Sequence, residues 1–376
     1  MTTDSRGALA LPRNTAQAAL CQVLADRDRD CDQRLTVRDA GKFPYELRLP
    51  TTAVTLSSTS EVSQLVTELV AGLKRGDGVV TLDLARVHLD PISYLETRIL
   101  DAYFPALTRR VDGNAAELAK AAADDKVGAG ARATPGWCPE VEARCDAKPA
   151  TPADGGGREL FVYYPGNDAQ ARSVFEPTDG TGTGRDRLRV KALPEVVTEA
   201  WMEQTTRAGQ HGLLTLALDR DGRGRPFVVP GGRFNEMYGW DSFFIAWGLL
   251  QAPSPARLEL GRAMVDNHGY EIERYGKILN ANRTYYLMRS QPPLFAAMLG
   301  AVWRASPHDS AGRAWLGRSV RAALHEYRTI WSAPPRRLGL CDADVCLARY
   351  YGEGKGAPPE VEPGAFAWIY QARAVA

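Results

Sequence analysis

Two stretches of the chain hold most of the residues able to do chemistry. The first, Arg225 to Leu250, reads RPFVVPGGRFNEMYGWDSFFIAWGLL, and the second, Ile278 to Pro293, reads ILNANRTYYLMRSQPP. In the first, Pro230, Gly231 and Gly232 interrupt an apolar run, and Arg233, Asn235, Glu236, Tyr238, Trp240 and Asp241 follow at once. Glycine permits positive φ and close backbone approach, so this turn delivers a charged cluster to the start of the apolar segment after Asp241. The second stretch adds Asn280, Asn282, Arg283, Tyr285, Tyr286, Arg289, Ser290 and Gln291. Arginine, carboxylate and amide groups grip adjacent hydroxyls, while Tyr and Trp cover apolar ring faces, so the mixture suits a sugar. The competing reading is a buried ion-pair network, Arg233 with Glu236 or Asp241, that ties a loop to a core.

A third candidate lies in DRDRDCDQRLTVRD, Asp26 to Asp39. With Asp28 as the first position of a calcium loop, Asp30 is third, Asp32 fifth, Arg34 seventh through its carbonyl and Asp39 twelfth. Hard oxygen ligands then fall where an EF-hand needs them. Gln33 stands where the turn glycine belongs, and Asp39 is shorter than the usual bidentate Glu. A solvated charge run is the alternative.

These residues need elements to hold them. Ser60 to Arg75 has apolar residues at helical spacing, with Ser60 as N-cap and Gly76 as the stop. Ile92 to Leu107 has the pattern of a second helix, and Val196 to Arg207 of another. Asp241 to Leu250 is apolar almost all round, which predicts a buried helix. Ala256 to Tyr275 is expected to be helical with a break near Gly269. Pro292 and Pro293 are expected in the first turn of a helix reaching Trp303, and a further helix spans about 312–331. Glu159 to Tyr164 is strand-like, and Gly180 to Gly184 is a flexible loop. Residues 128–157, rich in Gly, Ala and Pro, read as a loop or insertion. Long helices with few, short strand-like runs predict an all-α fold.

A chain of 376 residues with 44% hydrophobic content can bury a large core, and its net charge of +1 gives no pull towards nucleic acid. Ala8 to Leu11 is too short for a signal-peptide core, and no run approaches the ~20 apolar residues of a membrane span. The six cysteines form no CxxC pair. A cytoplasmic location is expected, with Cys138/Cys145 and Cys341/Cys346 as loop disulfides if the chain is exported.

Pro230 to Asp241 resembles the signature of the trehalases, PGGRF, any residue, E, any, Y, any, WD, any, Y, with Phe243 standing where that pattern has Tyr. ILNANRTYYLMRSQPP resembles the family's second substrate segment, and Gly356 to Glu362, GAPPEVE, resembles its GxPPExE. The closer likeness is to neutral trehalases, which also carry an EF-hand-like loop near the N-terminus. The resemblance implies an (α/α)6 toroid, the six-hairpin glycosidase type, of which this chain holds an incomplete N-terminal part. Residues 1–52 are expected as an N-terminal segment with the calcium loop, and 53–376 as the N-terminal part of the catalytic domain. It implies that Arg233, Trp240, Asp241, Asn280, Arg289, Ser290, Gln291 and Glu360 bind trehalose. It also implies Ca2+ at Asp28, Asp30, Asp32, Arg34 and Asp39. The activity implied is hydrolysis of α,α-trehalose to two glucose molecules with inversion, which needs a carboxyl acid and a carboxylate base on opposite faces of the bond. The family carries both in motifs downstream of the PPE segment, and Trp240–Asp241 is the one Trp-Asp pair here. The acid and base are therefore expected beyond Ala376, and a non-catalytic calcium- and sugar-binding protein is the alternative.

Overall fold

The computed structural model describes residues 7–27, 41–124, 138, 157–184, 186–341 and 346–354. The candidate calcium loop, Glu360 and most of the 128–157 segment lie outside the described residues. The chain divides into two compact units, one within Met1–Tyr103 and Gly130–Gly155, the other within Phe104–Ala129 and Gly156–Ala376. On either side of residue 52, Tyr45–Arg48 pairs antiparallel with Ala53–Leu56 in a hairpin. The four ladder pairs across that turn hold the two sides in one unit.

The first unit is built around the helix Thr59–Arg75. Its N-cap is Ser58, whose hydroxyl accepts from the Glu61 amide at 3.3 Å, while the Glu61 carboxylate reaches back to the Ser57 amide at 2.7 Å. These two bonds hold the first turn, and the cap falls two residues before the one expected at Ser60. Gly76 ends the helix at φ 83°, as its position predicts. Val62, Leu65, Leu69 and Leu73 share one stripe and bury against Leu11, Leu20, Val23, Val80 and Leu82. Cys138 joins this core and is disulfide-bonded to Cys21 of the helix Arg13–Arg27. Local spacing suggested Cys145 as its partner; packing, not sequence distance, made the choice.

In the second unit, helices Asp241–Gln251, Pro255–Tyr275, Phe295–Ala305 and Ser310–Glu326 pack side by side. Helices dominate, yet three parallel strands accompany them, in the order Arg187–Ala192, Glu159–Tyr164, Gly212–Leu214. The outer two are charged or very short, and parallel partners are distant in sequence, so only Glu159–Tyr164 had a readable pattern. Pro255–Tyr275 is unbroken at Gly269, because an interior glycine costs a helix only about 1 kcal/mol and packing over many residues outweighs it. Pro292 and Pro293 precede the helix, whose first residue is Phe295. The Ile92–Leu107 pattern resolves into an α-helix Pro91–Arg98, a wider π-turn Ile99–Tyr103 and a short turn Phe104–Leu107. Asp241–Gln251 is only half covered: Phe244 and Trp247 are each 54% exposed.

Leu65 is fully buried, so Leu65→Ala is expected to destabilise the first unit by about 2–5 kcal/mol. Urea unfolding followed by circular dichroism measures this. A change below about 1 kcal/mol would contradict the core described here.

Candidate functional site

The two chemistry-rich stretches lie against each other as a short, irregular ladder. Met237 donates its amide to the Asn282 side-chain carbonyl at 2.9 Å, Tyr238 and Ala281 are bridge partners, and Gly239 donates to the Asn280 carbonyl at 3.3 Å. Asn280 in turn donates to the Arg289 carbonyl at 3.0 Å, folding the second stretch back on itself. The chains come this close because Gly239 has no side chain. A Cβ there would lie 3.1 Å from the Leu279 carbonyl oxygen and 3.3 Å from Gln291.

Gln291 is the clasp. Its Oε1 accepts from the Trp240 amide at 2.8 Å and its Nε2 donates to Asp241 Oδ2 at 3.1 Å. One side chain thus fixes both residues at the start of the Asp241–Gln251 helix. Trp240 keeps 40% of its surface exposed and meets Phe244 edge-on at 5.9 Å between centroids. Arg233 sits over the Phe234 ring at 5.3 Å, and Phe234 meets Tyr238 edge-on at 5.6 Å. Arg289 is half-buried, and burial lowers its pKa from the ordinary arginine value. A guanidinium stripped of part of its water interacts more strongly with an acceptor.

Trp240, Asp241, Asn280, Arg289 and Gln291 are therefore brought together through named bonds. Arg233 stands on the aromatic edge of the same loop. Ser290 is buried: its hydroxyl accepts from Arg336 Nη2, and its carbonyl accepts from the Tyr350 hydroxyl. Its side chain serves the framework behind Arg289 and Gln291. Glu326 Oε1 pins the start of the second stretch by accepting from the Ile278 amide at 2.8 Å.

The buried ion-pair network weighed against sugar binding also exists, with a different arginine. Glu236 pairs with Arg283, not Arg233, at 2.9 Å, and both side chains are almost wholly buried, 0% and 1% exposed. Arg283 also donates to the carbonyls of Ala122 at 2.8 Å and Ala123 at 2.9 Å, at the end of the helix Ala115–Ala122. Asp124 lies 3.7 Å from Arg283 Nε and accepts from the Tyr285 hydroxyl at 2.7 Å. Burial opposes the Arg283 charge, but Glu236 and Asp124 outweigh it and raise its pKa. Arg233 is half-buried, with its guanidinium over the Phe234 ring. Nothing in the linear order of Arg233, Glu236 and Arg283 marks which arginine takes Glu236; only the fold does.

Among the described residues there is no group of three or more His, Cys, Asp or Glu side chains able to hold a metal ion. No described helix is long and apolar enough to cross a membrane.

Comparison with known proteins gives the same two stretches a context. The family model named Trehalase matches residues 176–367. A cytosolic neutral trehalase of Beauveria bassiana is 33% identical over 372 residues, covering 94% of this chain and 45% of that protein. A probable trehalase of Eremothecium gossypii is 36% identical over 362 residues, covering 92% and 44%. Among solved structures, neutral trehalase Nth1 from Saccharomyces cerevisiae aligns with a TM-score of 0.58 at 32% identity, over 76% of this chain and 47% of that one. The chain spans less than half the length of the curated relatives it matches.

Removing one partner of the buried pair leaves the other charge desolvated. Glu236→Gln is expected to cost about 3–5 kcal/mol in urea unfolding, with Glu236→Gln/Arg283→Met recovering a large part of it. A double-variant loss equal to the sum of the losses of Glu236→Gln and Arg283→Met taken singly would show that the two side chains do not act as a pair.

Proposed function

Because the chain belongs to the trehalase family, we propose that it carries the trehalose-gripping part of an α,α-trehalase, a glycoside hydrolase. The observation that carries this reading is the Gln291 clasp, which fixes an exposed indole beside a carboxylate, with the half-buried Arg289 two residues before it in the chain. The Trp240 ring offers a flat wall for the apolar face of a glucose ring. Asp241 accepts from a pair of adjacent hydroxyls, and the forked guanidinium groups of Arg233 and Arg289 donate to sugar oxygens. Asn280 and Glu360 complete the set in this reading, and Ser290 supports it from behind.

Family relationship and the 0.58 TM-score support a helical toroid of the six-hairpin type, with this chain as an N-terminal part of it. The name cytosolic neutral trehalase, borne by several relatives, supports a cytosolic location. Hydrolysis with inversion needs an acid that protonates the leaving oxygen and a base that activates water on the opposite face. Asp241 is held by Gln291 and Glu236 is sealed against Arg283, so neither is assigned to proton transfer. The acid and base are assigned outside residues 1–376. The proposal therefore predicts sugar binding without hydrolysis by this chain alone.

Isothermal titration with trehalose is expected to show binding that Arg233→Ala weakens at least about tenfold. Glucose release from trehalose by the purified chain, abolished by Arg233→Ala, would sink the assignment of the acid and base outside it. Absence of trehalose binding would sink the recognition role.

The loop Asp28 to Asp39 is proposed to hold Ca2+ through Asp28, Asp30, Asp32, the Arg34 carbonyl and Asp39, on its spacing of oxygen donors and on the family resemblance. When bound, the ion supplies structural cross-linking of the loop. Thermal unfolding is expected to shift upward with Ca2+ and back with chelator, and Asp30→Asn is expected to remove the shift. An identical midpoint with and without Ca2+ refutes the site.

A further inference from the structure

A groove of about 550 Å3 opens in the second unit, beyond the carboxyl ends of two parallel strands. Residues 165–167 follow the strand Glu159–Tyr164, residues 193–195 follow Arg187–Ala192, and both loops line it. In parallel sheets this edge is where loops diverge and leave room for small molecules. The opposite wall comes from the end of the helix Pro255–Tyr275 and from Leu287 and Met288.

Charge on the walls is unevenly held. Lys277 is only 7% exposed, yet it lines the groove, and its ammonium meets Glu353 at 3.1 Å. That Glu353 side chain is 50% exposed, so water competes for it and the pair is loosely held. Arg274 also lines the groove. Its Nε is 3.6 Å from Asp168, beyond hydrogen-bond reach, and makes no hydrogen bond among the described residues. Asp168 is already committed, accepting from the Tyr270 hydroxyl and capping the Ala171 amide. Arg172 donates to the carbonyl of the lining residue Gly166 and is itself paired with Glu176 at 3.8 Å. Glu195 is the one acid on the lining itself, and it is exposed. Arg274 Nη2 also lies 3.5 Å from the exposed Glu273, and the helix end adds partial negative charge, so an anionic ligand competes with these acids for the two cations.

We propose that this groove binds a small phosphorylated polyol of hexose phosphate size, at a site that shares no residue with the Arg233–Gln291 set. The phosphate takes the Lys277 ammonium in place of Glu353 and accepts from Arg274 Nε, making charge-assisted bonds stronger than the half-exposed pair they replace. Leu193, Leu287 and Met288 give the carbon skeleton an apolar wall, and Asn167 and Glu195 meet the hydroxyls. A neutral sugar would leave the desolvated Lys277 with its existing partner and gain little. The site does not depend on the trehalase reading, because none of these residues belongs to the trehalose-gripping set.

The test is titration calorimetry of the 376-residue chain with glucose 6-phosphate, inorganic phosphate and glucose. Saturable binding of glucose 6-phosphate is expected, with phosphate weaker and glucose undetectable. Lys277→Gln is expected to weaken it about tenfold. Glu353→Gln, on an exposed side chain whose loss leaves folding intact, is expected to tighten it by removing the competitor. Arg233→Ala is expected to leave it unchanged. No binding by either the unaltered chain or Glu353→Gln overturns the proposal, as does unweakened binding by a folded Lys277→Gln variant. Loss of binding in Arg233→Ala overturns it by placing the ligand at the trehalose-gripping set, and equal affinity for phosphate and glucose 6-phosphate overturns the polyol part.

Discussion

The second unit depends on one buried interaction, the pair between Glu236 and Arg283. Taking both charges out of water costs several kcal/mol per ion unless nearly every donor and acceptor is matched. Here the matching is extensive. Glu236 also accepts from the Asn235 amide and the Tyr238 hydroxyl, and Arg283 spreads its remaining donors over the last carbonyls of a helix more than a hundred residues earlier. A mismatch would strand a charge, so the loop, the second stretch and the helix Ala115–Ala122 are confined to one arrangement.

From that anchor the geometry of the Gln291 clasp follows. With Glu236 and Arg283 fixed, Met237 falls opposite Asn282, Tyr238 opposite Ala281 and Gly239 opposite Asn280. The next residue, Trp240, then reaches Gln291, and the clasp closes on Asp241. The aromatic rings continue along the helix from Trp240 to Phe244, Phe243 and Trp247, with neighbouring centroids 5.1–5.9 Å apart. The sugar-suited residues are thus held by a stiff frame rather than by the loop's own preferences.

Bland and functional readings of the same residues turn out to be complementary. Charged groups of the two stretches divide into a sealed pair that holds the loop and a set that keeps part of its surface exposed. Composition announces both kinds at once and cannot separate them, because Arg, Asp and Glu serve either purpose. Burial separates them: Glu236 is 0% exposed, while Arg233 and Asp241 keep part of their surface.

Local physics made several features legible in the sequence alone. Helical spacing with a glycine stop marked Ser60 to Arg75, an apolar run marked Glu159–Tyr164, and the motif residues pointed to sugar chemistry and to the family. These depend on neighbours within a few residues, where backbone geometry imposes a fixed period. Tertiary structure decided that Arg283 takes Glu236, that Cys138 bonds Cys21 rather than Cys145, that Pro255–Tyr275 runs unbroken past Gly269 and that three strands lie parallel. The two pairings and the sheet join residues far apart in the chain, and the unbroken helix rests on packing against others. Such choices are settled by which arrangement buries apolar surface while leaving the fewest charges and polar groups unmatched.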